Sequence, residues 1–308
     1  MTQAPELGAL AGRVMFRVDG REYTVADVCA AALAGGSWDA TATAAGLAVG
    51  DVSAAELDQA EVRFRRAHRL MSADELNRWL EAWELSVGEW RDSLRRAVQS
   101  ARDGGSAVGV PDSRTVLIEA ICSGELERWA RELAEKLAVW RAGGDTLPDL
   151  PDALTELDQA AAAFRARAAD DRHRLERELA TSFLDWTRFK LETVSDPRDD
   201  VLREVSACVR VDRRALSEVA TQAELELELR VLWLGECGPE AREALLGARE
   251  GDLLGPVVLD DRAGIVSVLE RVSPTLDDAD VLARARERVT AWACRRSLDE
   301  WVVFDGIG

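Results

Sequence analysis

The spacing at which apolar residues recur changes twice along this chain, and that change constrains the fold more than any other sequence feature. Up to Trp186, apolar residues in the longer segments return every three or four positions, as on one face of a helix. RFKLETV and LELELRVLWLG then alternate apolar and polar residues as strands do, before LDDADVLARARERVTAWACRRSL returns to the helical period. The pattern predicts an α+β fold that is mainly α-helical, with most strands inside one segment of about 90 residues.

The N-terminal third is predicted to be a compact helical module that opens with a β-hairpin. MFRVDGREYT alternates on both sides of Asp19-Gly20, a dipeptide typical of a two-residue turn. Thr24 is placed to cap a helix that ends at Gly35-Gly36. Further helices begin at three capping boxes, in each of which a serine precedes a glutamate by three positions: Ser53 and Glu56, Ser72 and Glu75, and Ser86 and Glu89.

The stretch RDGGSAVGVPDS separates this module from further helices. TVLIEAIC and GELERWARELAEKLAVWRAG are two of them, and ALTELDQAAAAFRARAADDRHRLERELATSFLDW is predicted to form a third, long helix. After Trp186 the order is a strand, a helix over SDPRDDVLREVSACVRVDRRALSEVA, a strand, a short helix and a hairpin. The chain closes with an amphipathic helix and a short strand.

The balance of charge excludes several classes of partner. The chain has 308 residues and a formal net charge of −18. Nucleic acids and anionic membrane surfaces attract basic faces, so neither is expected as a partner. The negative surface either serves solubility alone or steers a basic peptide. No apolar run is long enough to span a membrane and the first residues do not resemble a signal peptide, so we expect a cytoplasmic protein.

Residue types that carry catalysis or bind metals are scarce. The chain has two histidines, His68 and His173, and five cysteines without a C-x-x-C pair, so neither a zinc site nor a disulfide framework is expected. The common nucleotide-binding, hydrolase and zinc-protease motifs are absent as well. Lys190 is compatible with Schiff-base or general-base chemistry, but a solvated strand lysine is the simpler interpretation. No catalytic residue, metal or cofactor is predicted.

Ten tryptophans accompany a single tyrosine, and they have two interpretations. Most fit core packing at helical spacing. Others would line an apolar groove for extended peptides, where aromatic surface supplies much of the affinity. Trp186 and Trp233 fit the second interpretation best, because both lie at the edges of predicted strands.

Several segments resemble the parvulin-type chaperone family typified by SurA and PrsA. FRVDGREYTVADV is similar to the family's opening strand and first helix, and DVLREVSACVRVDRRALSEVA resembles the first helix of its parvulin domain, with Leu216 at the usual aromatic position. AREALLGAREGDLLGPVVLDDRAGIVSVLERVSPTLDD is similar to the end of that domain, through Gly251, Asp252, Gly255 and Pro256. The resemblance implies a SurA-like helical chaperone module, completed by the C-terminal helix, and a small parvulin-like α+β domain.

This resemblance is strongest to the PpiC-related putative peptide maturation proteins, through LDWTRFKLE, ACVRVDRRALSEVA and LLGAREGDLLGP. It implies four segments: a chaperone-like module over 1–105, a helical insertion over 106–184, a parvulin-like domain over 185–276, and a C-terminal helix and strand over 277–308. It also implies a cytoplasmic accessory protein that binds an unfolded or precursor peptide during maturation of a ribosomally synthesised, modified peptide. A peptide-modifying enzyme would be a further partner.

The chain departs from the family at the histidines that bracket the proline pocket of active parvulins. Phe189 or Lys190 stands near the first expected position, and Gly264 or Ile265 near the second. We therefore expect peptide binding without isomerase catalysis. The candidate peptide-binding residues are Trp186, Phe189, Lys190, Trp233, Leu234 and Ile265. A divergent isomerase or peptide-tailoring enzyme with a rebuilt pocket is the alternative, and a structural subunit with a permanently filled groove is a third possibility.

Overall fold

The computed structural model describes residues 7–48, 51–103, 109–150 and 152–305. The chain divides into two compact units, which we call the helical unit (Met1–Ala166 with Trp292–Gly308) and the sheet unit (Arg167–Ala291). The four segments predicted from the sequence end at other residues, and that functional division stays a prediction. The predicted fold class is confirmed: the protein is a mainly helical α+β protein, and its described residues form two small antiparallel sheets.

Helices and strands are numbered in chain order. Those of the first half are β1 Val14–Val18, β2 Arg21–Thr24, α1 Val25–Ala34, α2 Ser37–Ala45, α3 Ala54–Ala67, α4 Ala73–Ala82, α5 Val87–Asp103, α6 Ser113–Ser123, α7 Glu125–Ala142 and α8 Leu154–Ala169. Those of the second half are α9 Arg172–Thr181, β3 Arg188–Ser195, α10 Asp199–Val211, α11 Leu216–Gln222, β4 Leu227–Trp233, α12 Pro239–Leu246, β5 Leu253–Leu259, β6 Arg262–Val272, α13 Ala279–Trp301 and β7 Val302–Phe304.

The local signals at the helix starts are confirmed. The Asp27 amide donates to Thr24 Oγ1 while the Asp27 carboxylate accepts from the Thr24 amide at 2.8 Å, which closes the capping box of α1. The same arrangement opens α3, α4 and α5. Helix α2 was not predicted, because its N-cap is Gly36 in a left-handed conformation, with no capping side chain.

The C-terminal strand completes the sheet of the helical unit. Strand β1 lies between β2 and β7, and Phe16 pairs with Phe304 across the β1–β7 ladder. The Phe16 and Tyr23 rings stack at 5.1 Å between centroids. Strands from the first and last parts of the described chain therefore share one ladder, beside an apolar core to which α1 to α8 contribute.

The sheet unit holds a four-stranded antiparallel sheet in the order β4-β3-β6-β5. Strand β3 is central and pairs along its length with β4 on one side and β6 on the other. The predicted hairpin around residues 260–264 is confirmed, and it joins β5 to β6.

Two of the predicted helices are each divided in the structure. The segment expected as one long helix breaks after Ala169, and Asp171 caps the new helix α9 through the Arg174 amide. The helix predicted after β3 ends at Val211, and Arg213 takes a positive φ of 56° before α11 begins. Both errors have the same cause: the apolar period continues across each break, whereas the backbone turns at polar residues between the helices.

No helix in the described ranges has the length and apolar character needed to cross a bilayer.

Candidate functional site

The sheet unit presents its central strand to two different environments. Side chains on a strand alternate between faces, and directly paired residues of antiparallel strands share a face. Phe189, Leu191 and Thr193 of β3 therefore lie on one face, and Lys190 and Glu192 lie on the other.

The face with Phe189 and Leu191 is closed. Helix α12 packs on it through the buried residue Leu245, and β6 adds Val266 and Val268. The space at its centre has no room for a water molecule, and its lining is aliphatic throughout: Leu191, Leu245, Leu254, Val257, Leu259 and Val266. A site of this composition offers no group that could donate, accept or hold a proton.

The opposite face is covered at its two ends. Helices α10 and α11 pack at one end over Val194 and Ile265, which are fully buried. At the other end Trp233 packs with helix α13. Between the two ends the face is open. Leu229 and Val231 of β4 are 67% and 62% exposed, and they pair across the ladder with Glu192 and Lys190. We call Lys190, Glu192, Leu229 and Val231 the open strip.

The open strip runs along a free sheet edge. Strand β4 is the last strand on its side, and within the described residues no strand pairs with its outer side. Edge strands leave backbone N–H and C=O groups available to an added strand, and exposed apolar side chains beside them favour such addition. Proteins usually protect such an edge with charge. Glu228 and Arg230 of β4 lie on the other face, so Leu229 and Val231 leave this face of the edge strand apolar.

The candidate residues predicted from the sequence fall into three cores and one surface. Trp186 and Trp233 pack with Val281, Ala285 and Val289 of α13. Phe189 and Leu234 are buried in the core under α12, and Ile265 is buried under α10 and α11. Lys190 alone is exposed, in the open strip. The structure therefore does not bring the six together on one surface, and their role in peptide binding stays a prediction.

Arginine side chains hold the two tryptophans in place. The Arg284 guanidinium lies 4.0 Å from the centre of the Trp233 ring and that of Arg188 lies 4.9 Å from it. Arg288 lies 5.3 Å from the Trp186 ring. Arg188 is itself held by ion pairs with Asp278 and Asp280, so one of the two cations beside the Trp233 ring has a fixed position.

The space at the centre of the closed face is lined by aliphatic side chains, so it offers no group for acid–base or nucleophilic chemistry. His68 lies at the end of α3 in the helical unit and His173 lies in α9, so neither is in the sheet. Burial raises the pKa of the nearby Cys237 thiol, whose Sγ donates to the Trp233 carbonyl at 3.4 Å, so this thiol stays protonated at neutral pH. Among the described residues, no group of three histidine, cysteine or acidic side chains is arranged to hold a metal ion.

Leu229 and Val231 were not among the sequence candidates, although LELELRVLWLG contained the signal. Leu227, Leu229 and Val231 alternate with charged residues, a pattern that ordinarily places the apolar face in a core. In the structure that face is exposed over half of its length. The sequence therefore located the strand and its two faces, but not the exposure of the apolar one.

No family model matches the chain, and no curated protein matches it. Solved structures similar to it include the peptidylprolyl isomerase PrsA from Bacillus anthracis, at 8% identity and a TM-score of 0.26, covering 89% of this chain and 93% of that one. The foldase protein PrsA from Lactococcus lactis matches at 9% identity and a TM-score of 0.31, covering 96% of both chains.

A SurA-like chaperone structure from Campylobacter jejuni matches at 11% identity and a TM-score of 0.20, covering 96% of this chain and 100% of that one. The chain is a mainly helical α+β protein that is similar to PrsA and to SurA-like chaperones.

Proposed function

We propose that this protein binds extended segments of unfolded or precursor peptides, and that it does so without catalysing proline isomerisation. The observation that carries the proposal is the open strip, where Leu229 and Val231 are exposed on an unpaired edge strand. An extended peptide would add a strand beside β4 and cover these two side chains. Lys190 and Glu192 would contact polar groups of the same peptide.

The expected affinity follows from what binding would bury. Covering an exposed valine or leucine side chain contributes about 1.5–3 kcal/mol, before the cost of ordering the peptide is subtracted. Two such side chains with several backbone hydrogen bonds are consistent with a dissociation constant on the order of micromolar, about −8 kcal/mol. Binding of this kind is weakly selective for sequence, because backbone groups supply much of it.

The closed face supports the absence of catalysis. Proline isomerisation needs a pocket in which the peptide bond is desolvated and distorted against a barrier of about 18–20 kcal/mol. The side chains between β3, β6, β5 and α12 leave no space for a peptide there. A divergent isomerase or tailoring enzyme would need a pocket elsewhere in the chain.

The test is a titration of the purified protein with fluorescently labelled unstructured peptides, read by anisotropy. The double variant Leu229→Glu with Val231→Glu should weaken binding about tenfold or more, since it removes the apolar contact and adds charge. Val211→Glu is the matched control, because Val211 is 77% exposed on α10 and lies outside the strip. Equal affinities for all three proteins would exclude the strip as the binding surface.

The same peptides, with one proline each, serve for an isomerase assay. We expect the rate with protein to equal the uncatalysed rate. An acceleration that survives in the double variant would favour the alternative, an enzyme with a rebuilt pocket.

We further propose that the client is the precursor of a ribosomally synthesised, modified peptide, in the cytoplasm, with a peptide-modifying enzyme as a second partner. The resemblance of LDWTRFKLE and LLGAREGDLLGP to peptide maturation proteins supports this narrower function. Precursor peptides encoded beside this gene should bind more tightly than scrambled versions of equal composition. Equal affinity for the two sets would leave a general peptide-binding protein.

A further inference from the structure

The helical unit contains a cavity of about 680 Å³ that the proposed peptide surface does not use. It lies between the start of β1, the end of α3, helix α4 and helix α7. Its volume is within the range of pockets that hold small organic ligands, roughly 300–1,000 Å³. The composition of its lining is unusual for a protein with a net charge of −18.

Four arginines line the cavity: Arg13, Arg69, Arg78 and Arg131. Within the described part of the chain, none of their guanidinium groups has a carboxylate oxygen within 4.0 Å. Other arginines nearby are paired: Arg128, on the same helix as Arg131, contacts both Glu125 and Glu132. The lining of the cavity therefore carries positive charge that no ion pair among the described residues neutralises.

The two acidic residues of the lining do not cancel this charge. Glu75 accepts a hydrogen bond from the Ser72 amide at 2.7 Å, which caps α4 and lowers the pKa of Glu75. The Glu75 carboxylate is therefore held at the N-terminus of α4 by this hydrogen bond. Glu127 is the second acidic residue, and with His68 neutral the four arginines and two glutamates leave a formal charge of +2.

Flat side chains form another part of the lining. Trp79, Trp83 and His68 all border the cavity, and the His68 and Trp79 ring centres are 5.5 Å apart. The Arg13 guanidinium lies 4.0 Å from the centre of the Trp83 ring and donates to the Ala82 carbonyl, so its position is fixed. Burial lowers the pKa of Arg13, and the Glu84 carboxylate opposes this shift without forming an ion pair with it.

We propose that this cavity binds an aromatic carboxylate. Guanidinium groups match carboxylate oxygens in bidentate geometry. The Trp79 indole offers flat apolar surface to an aromatic ring, whereas Trp83 is buried with Arg13 over its ring. The carboxylate comes either from a free small acid or from a peptide whose acidic group adjoins an aromatic residue. Arg69 and Arg131, both exposed and without a carboxylate partner among the described residues, are the anion-binding side chains we assign.

Calorimetric titration with matched acids and amides tests the proposal on the full chain. Indole-3-acetate represents the free acid, and indole-3-acetamide is the neutral control of the same shape. A short unstructured peptide ending in tryptophan, with a free or an amidated C-terminus, represents the peptide source. We expect each acid that binds to bind about tenfold or more tightly than its amide. Binding by the peptide acid alone assigns the peptide as the source, and binding by indole-3-acetate assigns the small acid.

The double variant Arg69→Gln with Arg131→Gln should weaken acid binding about tenfold or more, and added salt should weaken wild-type binding. Arg128→Gln, a paired arginine outside the cavity, is the control and should bind as the wild type does. Both arginines of the double variant are exposed, so the fold should survive, and circular dichroism checks this. Acids that bind no better than amides, or that bind the double variant unchanged, would overturn the proposal.

The result is independent of peptide binding at the open strip. Leu229→Glu with Val231→Glu should leave the affinity for indole-3-acetate unchanged, because those residues belong to the sheet unit. Failure of either proposal can therefore be recognised without reference to the other.

Discussion

The buried ion pair between Arg96 and Glu119 gives the sharpest prediction for the stability of the helical unit. Arg96 Nε of α5 lies 3.1 Å from Glu119 Oε2 of α6, and the two side chains are 9% and 8% exposed. An unpaired charge at this position would be largely removed from water and would have no opposite charge to stabilise it. We therefore expect the loss of one partner to cost far more than the loss of both.

The expected magnitudes follow from that burial. Glu119→Leu should lower the free energy of unfolding by about 3–5 kcal/mol, because it leaves the Arg96 guanidinium unpaired inside the unit. Arg96→Met should cost a similar amount, since it leaves the carboxylate of Glu119 unpaired. The double variant Arg96→Met with Glu119→Leu should recover most of the loss, because the two remaining side chains are apolar and similar in volume.

Arg91 supplies a control on the same helix. It pairs with Glu61 at 2.8 Å, but its side chain is 46% exposed. Arg91→Met should therefore cost about 0.2–1 kcal/mol, as exposed pairs do. Urea unfolding followed by far-UV circular dichroism measures each variant. Because the chain has two units, hydrogen exchange read by mass spectrometry over α5 and α6 should locate the change there.

Two outcomes would contradict the role assigned to the Arg96–Glu119 pair. A cost below about 1 kcal/mol for Glu119→Leu would mean that water reaches the pair. A double variant as unstable as the worse single variant would mean that lost packing, rather than an unpaired charge, sets the cost.

Three further predictions concern single residues. Burial lowers the pKa of His68, so as the pH falls the unfolded chain binds a proton before the folded protein does. The free energy of unfolding should therefore decrease as the pH drops below about 6.5. The same pH dependence of that free energy in His68→Gln and in the wild type would contradict this. Leu245→Ala should lower the free energy of unfolding, measured in urea, by about 2–5 kcal/mol, because Leu245 is buried. Leu246→Ala should lower it far less, because the neighbouring Leu246 is 39% exposed. Burial raises the pKa of Cys29 and of Cys122 to about 12, so both should resist iodoacetamide until the protein unfolds, as intact-mass measurement would show.

Much of the local structure could be predicted from the sequence. The capping boxes at Ser53, Ser72 and Ser86 and the turn at Asp19-Gly20 act within a few residues, so their outcome depends little on the rest of the fold. The same holds for the alternation of β3 and β4. The breaks between consecutive helices were predicted less well. The apolar period continues through 169–172, so the sequence does not reveal the backbone turn between α8 and α9.

The candidate site could be predicted only in part. Alternation along β3 placed Phe189 and Lys190 on opposite faces, but both were expected to serve one peptide site. Their different environments come from α12, which covers the Phe189 face, and from α10 and α11, which stop short of Lys190. The cavity lined by Arg13, Arg69 and Arg131 had no signal at all, because its lining comes from residues up to 118 positions apart in the chain, between Arg13 and Arg131.

Short-range sequence signals therefore located most helix and strand starts and the apolar face of each element, and the composition showed that catalytic side chains are scarce. These properties depend on residues close together in the chain. The tertiary structure alone decided that the C-terminal strand β7 pairs with β1, that one sheet face is filled with aliphatic side chains, and that Leu229 and Val231 remain exposed on the other. The sequence of a strand indicates that one of its faces is apolar enough to be buried. Whether that face is buried depends on whether another element, from elsewhere in the chain, packs on it.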